Sequence, residues 1–155
     1  MSRRTARLHA FYLIFQLPFN APTSAEEAIA FHISNWNDPV KDSLPVPADN
    51  TNFIPMSKDD REFMETLYKG TLANWSDIDK RIEDVSQGWG ISRLNTVDAA
   101  LLRLASYEII YTEMPITIAI NEVVELAKLY GSDESPSFIN GALRTIAQSA
   151  GRSSQ

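Results

Sequence analysis

Residues 96–112, TVDAALLRLASYEIIYT, decide the fold. Placed on a helix, Val97, Ala99, Ala100, Leu101, Leu102, Leu104, Ala105, Ile109 and Ile110 leave almost no polar side. A helix that is apolar all round belongs at the centre of a bundle. Working outward, helical periods recur along most of the chain and no sustained period-two alternation interrupts them. A first helix is expected from about Arg3 to Leu17, with Leu8, Phe11, Tyr12 and Phe15 on one face and Pro18 ending it. A second follows Ser24, an N-cap with Glu27 three residues on, and extends to about Trp36.

Residues 37–57 hold Pro39, Pro45, Pro47 and Pro55 and read as a long surface connection. Helix three follows Ser57, with Phe63, Met64, Leu67, Tyr68, Thr71, Leu72 and Trp75 as its inner stripe. Ser76 with Asp79 resembles a capping box and opens a fourth helix to about Ser86. Gly88 and Gly90 surround Trp89, and Ser92 to Leu94 form a single turn. The apolar helix ends near Thr112, Pro115 sets a boundary, and a sixth helix runs to Tyr130 with Gly131 as a left-handed C-cap. Ser135 as N-cap and Pro136 at the first helical position open the seventh. The expectation is all-α: seven helices in one domain over residues 1–150, as two subbundles divided by the Pro-rich connection, with a polar tail at 151–155.

Composition narrows the function. At 155 residues and 44% hydrophobic, the chain can bury a substantial core. It has no cysteine, which excludes disulfides and thiolate zinc sites. No apolar run approaches the roughly 20 residues that span a bilayer, and a secretory leader is not evident, so a cytoplasmic protein without a membrane partner is expected. The net charge of −6 argues against nucleic acid, but its distribution does not. Residues 1–25 carry Arg3, Arg4 and Arg7 with no carboxylate; all 20 acidic and the other 11 basic residues lie beyond, leaving −9 there.

Arg3 and Arg7 are four apart and share a helical face, with Arg4 beside them. Each guanidinium can grip a phosphate or stack on a base. In the first turn such cations oppose the helix dipole by roughly 0.3–1 kcal/mol each, a placement that stability alone does not favour. The other reading is a solvated terminus with idle charges. Two rings, Tyr130 and Phe138, flank the loop 132–137 and either offer stacking for unpaired bases or close a helix–helix corner. Enzymatic patterns are absent: His9 and His32 stand in no HExxH or ExxH motif, and there is no phosphate-cradling glycine loop or GxSxG elbow. Glu122 and Glu125 lack the histidine a helical metal site would need. Arg103, on the apolar helix, needs a buried partner, for which Glu108 and Glu122 are candidates. No cofactor, metal or catalytic residue is expected.

A series of blocks is more specific than helical period requires: Arg3-Arg4-Thr5-Ala6-Arg7, Phe15-Gln16, Leu67-Tyr68-Lys69-Gly70, Ile78-Asp79, Trp89, Arg93-Leu94, Ala100 to Ala105, Tyr107-Glu108, Pro115, Ile120-Asn121-Glu122 and Phe138-Ile139-Asn140-Gly141. In this order they resemble the NusB family of bacterial transcription antitermination factors, over roughly residues 2–17 and 57–147. The resemblance implies a seven-helix, two-subdomain fold and binding of boxA, a single-stranded RNA element, jointly with the ribosomal protein NusE, in service of elongating RNA polymerase on ribosomal RNA operons. It implies that Arg3, Arg4, Arg7, Tyr130, Glu134 and Phe138 face RNA and that Phe15 and Asp98 face the protein partner. Phe11-Tyr12 departs from the family's usual Leu-Gln or Val-Gln, and the Pro-rich connection is longer than expected. A NusB-like domain also fronts some ribosomal RNA cytosine methyltransferases, for whose methyl-donor domain 155 residues leave no space. The alternative of another class is a helical protein-binding scaffold without RNA. An exposed face of the first helix would serve a homodimer as well as a heterodimer.

Overall fold

The structure, a computed structural model, describes residues 3–17, 24–34, 57–86 and 94–152. These form seven helices: α1 Arg4–Gln16, α2 Ala25–Ser34, α3 Lys58–Ala73, α4 Trp75–Val85, α5 Thr96–Tyr111, α6 Ile116–Tyr130 and α7 Ser135–Ser149. The all-α expectation holds in number and order. Most of the Pro-rich connection, Trp36, Trp89 and the turn at Ser92 lie outside the described residues. The chain divides into two compact units, Met1–Lys69 and Gly70–Gln155. The boundary, between Lys69 and Gly70, lies within the residues of α3.

In the first unit, every residue of α1 from Ala6 to Phe15 is buried. Phe11 and Tyr12, where the sequence departs from the family pattern, are core residues. Ser24 and Ser57 cap α2 and α3: their hydroxyls accept from the N–H groups of Glu27 and Asp60, each at 3.1 Å. Glu26 and Glu27, and Asp59 and Asp60, add negative charge to those first turns. The start of α1 has neither device; Arg3 is its N-cap and makes no side-chain capping bond. His9 of α1 and His32 of α2 meet in a buried hydrogen bond of 2.8 Å. Burial holds both below the ordinary imidazole value, His9 at about 3 with help from the His32 charge and His32 at about 4. Both are neutral at neutral pH. On α3, Met64, Leu67, Tyr68 and Thr71 are buried as expected, whereas Phe63 and Leu72 are half-buried and Trp75 belongs to the next helix.

In the second unit, α5 is buried from Val97 to Ser106 and packs against α4, α6 and α7. Asn95 caps it, accepting from the Val97 N–H at 2.8 Å. The buried partner of Arg103 is Asp79, not Glu108 or Glu122, through two bonds of 2.8 and 3.0 Å. The guanidinium also lies 4.0 Å from the Trp75 ring centroid. Asp79 is therefore engaged elsewhere, and Ser76 is no cap: α4 begins at Trp75 after Asn74, whose amide donates back to the Gly70 carbonyl at 2.9 Å.

The glycine at the end of α6 also serves differently from the expectation. Gly131 is extended, φ −95° and ψ −171°. A Cβ there would lie 2.6 Å from Ser135 Oγ and 2.9 Å from the Ala127 carbonyl, so Gly131 is needed for room and not for a left-handed turn. Ser135 is the first residue of α7 and not its cap. Its buried hydroxyl accepts from the Ser132 N–H at 2.9 Å, the cap position falls to Glu134, and Pro136 lies in the first turn. Among the described residues the left-handed glycine is Gly151, φ +79°, after α7. Its N–H bonds the Gln148 carbonyl at 3.0 Å and the Arg152 N–H bonds that of Ala147 at 2.9 Å, a Schellman ending. The Arg152 side chain then donates to the Ile109 and Thr112 carbonyls at 2.9 and 3.2 Å, so the expected polar tail is anchored at least to residue 152.

Candidate nucleic-acid interface

The arginines of the first unit divide by burial. Arg3 and Arg4 are exposed where α1 begins, while Arg7, one turn on, is 2% exposed. The Arg3 and Arg7 guanidinium groups lie 4.4 and 5.2 Å from the centroid of the Phe63 ring, within cation–π range. Arg3 also donates to the Asp59 carbonyl at 3.4 Å. Arg3, Asp59, Glu62, Phe63 and Thr66 line a shallow hollow of about 230 Å³. Sequence reading assigned Phe63 to the inner stripe and missed this role. The signal was available: Arg61, Glu62, Glu65 and Thr66 around it mark the polar margin of that stripe.

In the second unit the α6–α7 corner separates the two rings. Tyr130, the last residue of α6, is 4% exposed and closes the core, whereas Phe138 is 37% exposed. Glu134 is exposed between them in sequence. The corner can therefore offer one stacking face and one carboxylate acceptor. Asp98, in the first turn of α5, is 8% exposed. Burial raises its carboxyl above the usual range, and a hydrogen bond from the Ser135 hydroxyl opposes that shift. Among the described residues its Oδ1 has no hydrogen-bond partner. Phe15, in the first unit, is 6% exposed, its ring centroid 6.0 Å from that of Phe11. Both residues expected toward a protein partner thus offer little surface by themselves.

Among the described residues, no three His, Asp or Glu side chains gather as a metal site, and no helix is long and apolar enough to cross a membrane. Glu125 is paired with Lys128 at 2.7 Å.

The class so defined is a small helical protein, with seven helices among the described residues, whose first helix opens on arginines with no side-chain capping bond. The model of the NusB family matches residues 4–148, and the chain belongs to that family. The transcription antitermination protein NusB of Desulfitobacterium hafniense is 39% identical over 153 residues, covering 98% of this chain and 92% of the relative. The solved NusB of T. maritima superposes with a TM-score of 0.68 at 28% identity, covering 96% of this chain and 92% of that one. A solved complex of the antitermination factors NusB and NusE with dsRNA gives a TM-score of 0.75 at 22% identity over 95% and 96% of the two chains. At that identity the likeness speaks for the fold.

Proposed function

We propose that this chain is a non-catalytic transcription antitermination factor that binds boxA-type RNA together with NusE, works in the cytoplasm, and helps RNA polymerase transcribe ribosomal RNA operons processively. The observation that carries the reading is the start of α1. Arg3 and Arg4 are exposed there without a side-chain cap or a first-turn carboxylate, although α2 and α3 have both. Charge held against a helix dipole is explained by an anionic partner. In this reading Arg3 and Arg4 contact phosphate and Arg7 supports them from its buried position. Phe138 stacks on an unpaired base, Glu134 accepts from a base amino group, and Tyr130 fixes the corner that carries them. Asp98 and Phe15 lie toward NusE, with Asp98 Oδ1 an acceptor for a partner's donor. Two weak RNA-binding surfaces joined on one RNA give a higher effective affinity than either alone.

The NusB–NusE complex of known structure holds dsRNA, so the test compares strandedness. A gel shift with single-stranded boxA RNA, its duplex and a scrambled strand, each with and without NusE, is expected to favour the single strand with NusE. Replacing Arg3, Arg4 and Arg7 with Ala is expected to abolish that shift with helical content intact. Persistent binding by the triple variant would overturn the arginine assignment. A protein-only scaffold has one observation in its favour, the exposed Ile118 and Leu129 on α6, and predicts that NusE binds while no RNA shifts.

A further inference from the structure

We propose that Phe63 is a positioning residue for RNA binding, its ring holding the exposed Arg3 guanidinium in place for phosphate, with buried Arg7 against the same ring; this rests on the RNA-binding reading above. Two helical repeats make the arrangement. Arg3 and Arg7 are four apart along α1, and Asp59 and Phe63 are four apart along α3, so each pair shares one face of its helix. The ring receives both cations, at 4.4 and 5.2 Å, and the Asp59 carbonyl one turn away receives an Arg3 N–H at 3.4 Å.

The chemistry of the partner matters more than its presence. A carboxylate in the place of Phe63 would neutralise a cation and occupy the hydrogen-bonding edge that a phosphate needs. A ring instead attracts a cation through its face, and a guanidinium carries its donors around its rim. Among the described residues, the polar partner of Arg3 is the main-chain carbonyl of Asp59, although the Asp59 and Glu62 side chains line the same hollow. Phe63 thus orders a long, flexible cation without cancelling its charge.

The experiment measures binding of a synthetic single-stranded boxA-type RNA by the full chain with NusE, across a salt series. Phe63→Leu is expected to weaken binding by about three- to tenfold and to make log K less steep against log salt, because fewer phosphates are engaged. Phe63→Trp, which keeps a cation-binding face, is expected to restore both. In the Phe63→Leu background, Arg3→Ala should cost little more. Wild-type binding by Phe63→Leu, or equal weakness of the Leu and Trp variants with unchanged helical content, overturns the proposal. If Arg3→Ala with Arg7→Ala binds like wild type, the RNA-binding reading of these arginines fails first; if that double variant loses RNA while Phe63→Leu does not, Phe63's role alone fails.

Discussion

Arg3 and Arg103 each lie over an aromatic ring, and they differ in what else they touch. Arg103 sits 4.0 Å from Trp75 and is gripped by both oxygens of Asp79. Arg3 sits 4.4 Å from Phe63 and meets a neutral carbonyl. Arg103 is 8% exposed, Arg3 exposed. The same stacking therefore serves two ends. With a carboxylate the charge is consumed and the residue holds the fold; without one the charge is left uncancelled, which in the proposed reading serves RNA.

The largest expected effect breaks the structural member of the pair. Asp79→Ala strands a buried guanidinium and should cost about 3–5 kcal/mol, read as a lowered urea midpoint. A loss under 1 kcal/mol would show that Trp75 alone suffices. Next comes the buried polar pair of the first unit. His9 and His32 are held at about 3 and about 4 against the usual 6.5, so the unfolded chain takes up protons that the folded chain refuses. Stability is full above pH 6.5 and falls as pH drops through the window from 6.5 to about 3. His32→Gln should flatten that fall by something on the order of 3 kcal/mol, measured by denaturation at pH 7 and pH 4.5. An unchanged slope would place the acid sensitivity elsewhere.

Smaller effects test the ligand-directed member. Arg3→Ala with Arg4→Ala should weaken boxA binding at least about tenfold, or roughly 1.4 kcal/mol, while the urea midpoint stays put. A stability loss instead would return Arg3 to the class of Arg103. Smallest of all, Thr5→Glu supplies the missing first-turn carboxylate. It should stabilise by about 0.3–1 kcal/mol while weakening RNA binding, so that the two measurements move in opposite directions.

What could be read from residue order was whatever depends on neighbours in sequence. Seven helices followed from apolar period, and the Ser24 start from local capping chemistry. The partner of Arg103 lies 24 residues away on another helix, and no local rule selects Asp79 over Glu108. Gly131 and Gly151 are both helix-end glycines in sequence, yet only the packing of Ser135 reveals that the first provides clearance, and only the backbone at φ +79° that the second makes a left-handed turn. The candidate site divides in the same way. Arg3 and Arg4 were evident because a cation in a first turn is locally unfavourable. The burial of Arg7 and Tyr130, and the role of Phe63, depend on tertiary contacts that spacing cannot specify.

The last turn of α5 leaves carbonyls that its own helix cannot bond. Two of them, on Ile109 and Thr112, are served by the guanidinium of Arg152, about 40 residues later in the chain. The central helix is thus finished from outside itself. Shortening the protein at Ala150 would delete none of these helices and yet uncap α5, whereas a fusion partner attached after Arg152 leaves that stopper in place.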